Sequence, residues 1–245
     1  MPPRFHAPAL DIDQPTVTLP PGESQHLTRV LRLGSGADVE IFDGRGGLHS
    51  GRVQVADGRA AIVSVGAPLE ATPEPGAPIV IVQGLLKGDG MDAVVRDATM
   101  MGATTIQPVT SARTNVPGRS AAAAGERWQR VAVAAAKQCG RAVLPTIAPV
   151  ARLDDVLDAT ETASRLWLCE PAIGDASATA VPPATSALWL AIGPEGGWTT
   201  NEVAAARAAG WSLWTLAPVT LRAEQVTLAA LAVVRHAWSA VRRIT

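Results

Sequence analysis

The sequence predicts an α/β protein: a mostly parallel sheet with helices packed on it, preceded by a small all-β unit. Three observations point there. Up to about residue 70 the apolar and β-branched residues come in short runs separated by Gly and Asp, as in the strands and turns of a small barrel or sandwich. Residues 67–78 are dense in proline, which favours an extended linker and sets the expected boundary at 72/73. Beyond it, apolar runs alternate with segments of helical period, the signature of βαβ units.

Taken in order, residues 38–42, 51–55 and 60–65 read as strands of the first unit. In the second, the apolar run 79–86 is a buried strand, and Met91, Val94, Val95, Ala98 and Met101 then recur at helical spacing. Residues 104–109 form the next strand. Trp128, Val131, Ala132, Ala135 and Cys139 mark a second helical face, and 166–169, 188–192 and 213–216 are further buried strands. From Val226 to Val241 the apolar residues cover more than one face, so the last helix must be covered on several sides, with a second copy of the chain as the expected cover.

The chain holds 21 Lys plus Arg against 22 Asp plus Glu, so overall charge gives no support to nucleic-acid binding. Basic residues nevertheless outnumber acidic ones between 87 and 141. Two cysteines, Cys139 and Cys169, are too few for a disulfide framework and lie in no ligand array, so no metal is expected and a reducing cytoplasm is the simplest setting. The N-terminus lacks the apolar core of a signal peptide, and Arg235 and His236 interrupt the most apolar C-terminal stretch, so no membrane role is expected.

Two segments carry most of the functional information. Residues 188–197 read Leu-Trp-Leu-Ala-Ile-Gly-Pro-Glu-Gly-Gly, a strand breaking into a glycine-rich turn. Thr199 and Glu202 then have the spacing of a capping box, which puts the turn at a strand-to-helix junction, the usual cofactor position in such folds. The turn lacks the Lys-Ser/Thr pair of a P-loop and the spacing of a dinucleotide fingerprint. A cofactor held by backbone groups, or an ordinary tight turn, remains. Residues 216–226, Leu-Ala-Pro-Val-Thr-Leu-Arg-Ala-Glu-Gln-Val, form the second segment.

This pair resembles the glycine-rich and Leu-Arg-x-Glu motifs of the SPOUT methyltransferases, most nearly the RsmE-type enzymes. Residues 26–33, 88–92, 101–108 and 137–141 fit the same family. The resemblance implies a PUA-like β-barrel RNA-binding domain over 1–72 and a SPOUT domain with a C-terminal trefoil knot over 73–245. It implies a homodimer that uses S-adenosylmethionine to methylate N3 of a uridine in 16S ribosomal RNA, free or in the small subunit. Cofactor contacts are then expected at Cys169, Ile192, Gly193, Pro194, Gly196, Gly197, Leu216, Pro218, Leu221 and Arg222.

Arg222 is expected to reach the RNA through its planar guanidinium, and Glu195 and Glu224 are expected near the N3 proton, although glutamates at helix starts are often only dipole partners. RNA contacts are expected at His26, Arg29 and Arg32, which share helical spacing, and at Lys87, Arg113, Lys137, Gln138 and Arg141. The sequence departs from the family at Gly90, where lysine is common, and at Ala223, Gln225 and Val226. The departures at Gly90 and Gln225 support an alternative, an RNA-binding SPOUT-fold protein with little or no turnover. A metabolic enzyme with a nucleotide cofactor is disfavoured by the missing phosphate motif.

Overall fold

The computed structural model describes residues 2–116, 124–157, 163–171 and 181–241, with residues 240 and 241 described by their backbone. They form two compact units: Met1–Glu74 with Val133–Leu144, and Pro75–Ala132 with Pro145–Thr245.

In the first unit, strands β1 (Arg4–His6), β2 (Thr16–Thr18), β3 (Asp38–Phe42), β4 (Leu48–Val55) and β5 (Ile62–Pro68) form one sheet in the order β1-β3-β4-β5-β2. β1 runs parallel to β3, and the other pairs are antiparallel. Phe5, Val17, Val39, Ile41, Val53 and Val63 turn inward from all five strands, with Leu27 packed among them. Between β2 and β3 lies the short helix α1 (Pro21–Gln25), whose proline occupies the first turn, where a missing N–H costs nothing. A π-helical turn follows over His26–Val30. The expected helical run of His26, Arg29 and Arg32 is therefore corrected: Arg32 lies beyond the turn with φ 53°, a left-handed backbone.

The second unit is built on seven parallel strands. They are β6 (Ile79–Gly84), β7 (Thr105–Thr110), β8 (Thr146–Ile147), β9 (Ala151–Arg152), β10 (Ser164–Leu168), β11 (Leu188–Ile192) and β12 (Ser212–Trp214). Their order is β12-β10-β11-β6-β7-β8, with β9 also on β7. Every residue of β6 is buried, as expected of a parallel strand covered on both faces. Its alternate residues enter two cores. Ile79 and Ile81 meet Leu188, Leu190 and Ile192 of β11 on one side; Val80 and Val82 join Ala191, Trp167 and Trp198 on the other.

Helices α2 (Gly90–Met100) and α3 (Gly125–Cys139) follow β6 and β7, and the one-turn α4 (Leu153–Leu157) follows β9. α2 buries Met91, Val94, Val95 and Ala98, the residues its period singled out. Helix α5 (Thr200–Ala208) begins with the expected capping box: the Thr199 hydroxyl accepts from the Glu202 amide at 3.2 Å, and Thr199 N–H donates to the Glu202 carboxylate at 2.7 Å. The last helix, α6 (Ala223–Val241), buries Ala230, Leu231, Val234 and Trp238 while Leu228 and Val233 stay 43% and 44% exposed. No helix of the described residues is long and apolar enough to cross a membrane.

Candidate active site

The parallel register brings three strand ends together. Trp167 of β10 lies level with Ala191 of β11, and Leu168 with Trp214 of β12. The segments leaving these strands enclose a cavity of about 340 Å³ lined by Cys169, Glu170, Ile192, Gly193, Pro194, Glu195, Gly197, Trp198, Leu216 and Leu221, among others. A cavity at the carboxyl ends of adjacent parallel strands is where α/β sheets hold small ligands.

The glycine-rich turn is held in shape from several directions. Gly197 N–H donates to Pro194 O at 2.9 Å, closing the turn, and Gly197 adopts φ +66°. A Cβ on Gly197 would lie 2.6 Å from Glu170 Oε1. Trp198 anchors the exit, its indole N–H donating to Leu168 O at 3.0 Å and its ring 4.3 Å from that of Trp167. On the other side Gly84 leaves room for the turn, since a Cβ there would sit 2.6 Å from Pro194. Buried Gln83 donates through Nε2 to Gly84 O at 3.0 Å and to Gly193 O at 3.2 Å.

The second loop, residues 215–222, is built differently. The amides of Ala217, Val219, Thr220 and Leu221 donate to no described residue. At its start the Thr215 hydroxyl is buried without a hydrogen-bond partner. Free amide donors on a cavity wall, at Ala217, Val219, Thr220 and Leu221, are what a ligand held by backbone groups requires.

Among the residues singled out from sequence, Cys169, Ile192, Gly193, Pro194, Gly197, Leu216 and Leu221 line this cavity; Gly196, Pro218 and Arg222 are not on its wall. Burial pushes the Cys169 thiol up to about 11, so it is a neutral wall group. Arg222 is exposed, and its carbonyl accepts from the amides of Gln225 and Val226 at the start of α6. Glu195 lines the cavity, with Oε1 accepting from Lys87 N–H at 2.7 Å. Glu224, in the first turn of α6, faces a neighbouring cavity that Glu195 also lines.

Arg113 reaches the glycine-rich turn, donating from Nη1 to Gly196 O at 2.9 Å and to Trp198 O at 3.3 Å. Lys87 is exposed. The other residues expected to contact RNA lie in the first unit. Arg29 and Arg32 are exposed, whereas His26 is half-buried with its pKa lowered, first by desolvation and then by the charge of Lys137. Lys137 pairs with Glu23 at 2.8 Å, and Arg141, buried, is bidentate to Glu74; Gln138 is exposed.

The sequence reading missed Gln83, Gly84, Glu170, Trp198 and Thr227. Gln83 carried a signal, since it is the lone polar side chain in an otherwise apolar strand; the others acquire meaning only through partners far away in the chain.

The glycine-rich strand end, its paired loop and the parallel sheet have a counterpart among known families. Residues 72–235 match the family model described as the RNA methyltransferase domain, and residues 19–66 match the RNA methyltransferase PUA domain. The chain belongs to this RNA methyltransferase family. It is 33% identical to the ribosomal RNA small subunit methyltransferase E of Synechocystis sp., over 90% of this chain and 73% of that protein. Among solved structures, the same-named protein of Neisseria gonorrhoeae, crystallised with S-adenosyl methionine, superposes with a TM-score of 0.83 at 31% identity, covering 97% of this chain and 98% of the other. A Legionella pneumophila structure with bound cofactor SAM gives a TM-score of 0.88 at 26% identity, covering 97% and 98%. The methyltransferase fold and its N-terminal PUA-type domain are thus those of the family.

Proposed function

We propose that this RNA methyltransferase transfers the methyl group of S-adenosylmethionine to N3 of a uridine in the 16S ribosomal RNA of the small subunit, free or assembled. The single observation that carries the reading is the cavity at the ends of β10, β11 and β12, whose wall includes the amides of Ala217, Val219, Thr220 and Leu221 that donate to no described residue. Relatives named for small-subunit ribosomal RNA methylation, and a homologue crystallised with S-adenosyl methionine, support the choice of RNA and cofactor.

The residues present suit that cofactor. Apolar Leu216, Leu221 and Ile192 offer an adenine ring flat contacts, and the free amides of the 217–221 loop are donors for its nitrogens. When bound, S-adenosylmethionine would supply an electrophilic methyl carbon on its sulfonium, and transfer of that methyl to uridine N3 would release the N3 proton to a base. The chain's part is to orient and to hold the proton. Glu195, steadied by the Lys87 amide, and Glu224 are the acceptors we assign, and Arg222 steadies the RNA.

We extend the reading to a homodimer through the exposed apolar residues Leu228 and Val233 of α6, a C-terminal trefoil knot, recruitment of RNA by residues 1–72, catalysis in residues 73–245, and a cytoplasmic setting. The test is to supply the protein and labelled cofactor with small subunits and 16S RNA from a strain lacking it, then digest to nucleosides and identify the product by mass spectrometry. 3-Methyluridine is expected. A different methylated nucleoside would overturn the N3 assignment. No incorporation despite cofactor and RNA binding would favour an RNA-binding protein without turnover.

A further inference from the structure

A second cavity, about 660 Å³, lies beside the first in the same unit, lined in part by Lys87, Asp92, Arg96, Arg127, Glu195 and Glu224. Among the described residues Glu195 is the only one lining both cavities. The two also meet at the start of α6, where Ala223 faces the first and Glu224 the second. Methyl transfer needs donor carbon and acceptor nitrogen in line at about 3–3.5 Å, so donor and acceptor spaces must share a wall of this kind.

The charges on the lining separate by availability. Arg127 is neutralised by Asp92, with Nε 2.8 Å from the carboxylate. Arg96 holds Asp97 through Nε and Nη2 at 2.8 and 3.2 Å, which leaves Nη1 unengaged. The Lys87 ammonium pairs with no described carboxylate, while its own amide fixes Glu195. Among these cations Lys87 is the one with no described carboxylate partner, and Arg96, paired with Asp97, offers an anion its Nη1, while Glu195 and Glu224 present acceptors on the same lining. Gly90 is also on this lining, and its missing side chain leaves room for buried Leu86, since a Cβ there would lie 2.9 Å from the Leu86 Cβ. A phosphodiester needs the first feature, and the N–H edge of a base needs the second.

We propose that this second cavity is the acceptor-nucleotide site, taking one RNA nucleotide with its phosphate on Lys87 and Arg96 and its base edge at the Glu195 wall. The assignment rests on the methyl-transfer reading above and adds the nucleotide's place and polarity to it.

Two measurements test it. Uridine 5′-monophosphate titrated into the protein loaded with S-adenosylhomocysteine should shift the backbone amide resonances of residues 87–96, and uridine without phosphate should shift them less. Lys87→Ala and Arg96→Ala should each raise KM for small-subunit RNA about fivefold or more, with cofactor affinity by calorimetry unchanged. Absence of amide shifts together with an unchanged RNA KM overturns the site, as does a loss confined to cofactor affinity. Methylation by the unmodified protein is scored separately: nucleotide-induced shifts without any methyl product would sink the methylation reading and leave the nucleotide site standing.

Discussion

The Thr227 hydroxyl donates to Gln83 Oε1 at 3.2 Å, and both side chains are fully buried, 144 positions apart in the chain. The same Gln83 donates through Nε2 to the carbonyls of Gly84 and Gly193. One amide therefore ties the end of β6, the first residue of the glycine-rich turn and the last helix into a single polar network inside an apolar core. Such a network holds one geometry only while all its members are satisfied.

Gln83→Leu and Thr227→Val should each destabilise the fold by about 1–3 kcal/mol, because each leaves its partner buried and unpaired. The double variant should cost clearly less than the two singles together. Urea unfolding of the four proteins decides this, and strictly additive losses would show that the two side chains act separately.

Gly197→Ala and Gly84→Ala should each weaken S-adenosylmethionine binding at least tenfold by calorimetry. A side chain at Gly197 would meet the Glu170 carboxylate and force a left-handed backbone onto a residue with a Cβ. The loss comes from deforming the turn. A folded Gly197→Val protein binding the cofactor normally would remove the turn from the cofactor site.

Arg113 and Arg222 should separate by phenotype. Arg113→Ala frees the carbonyls of Gly196 and Trp198, so cofactor affinity should fall about fivefold, near 1 kcal/mol. Arg222→Ala should cut methyl transfer at least tenfold while sparing cofactor affinity, as suits an exposed guanidinium off the cavity wall. Exchanged outcomes would exchange the two roles.

Cys169 should react slowly with iodoacetamide at pH 8, since burial raises its thiol to about 11 and the thiolate is the nucleophile. Its alkylation rate should keep rising well beyond pH 9, where a free cysteine levels off, and bound cofactor should suppress it. Levelling near pH 9 would mean the side chain is solvated.

An Arg29→Ala, Arg32→Ala double variant should bind RNA more weakly with a flatter salt dependence and bind the cofactor normally, both side chains being exposed. Lys137→Ala should instead lower stability in urea, because its ammonium sits on Glu23 with both side chains largely buried. Unchanged RNA affinity and salt slope in the double variant would reduce these arginines to a solvated surface.

What the sequence determined by itself is what short-range physics writes locally. The capping box from Thr199 to Glu202 spans four residues, and the apolar run of β6 and the period of α2 declare their own burial, so each was legible without knowing any neighbour. The paired loop motifs carried the family in the same way. Tertiary structure alone decided which strands adjoin, and hence that the ends of β10, β11 and β12 enclose one cavity. It put Arg113 on the glycine-rich turn, paired Gln83 with Thr227 and grouped Val133–Leu144 with the first unit. β1 and β2, three residues each, are too short for a period to show and exist only through partners elsewhere in the sheet. The physical reason is common to all of these: a hydrogen bond between distant residues leaves no mark in the spacing of either segment, because its partner is chosen by how the chain closes on itself.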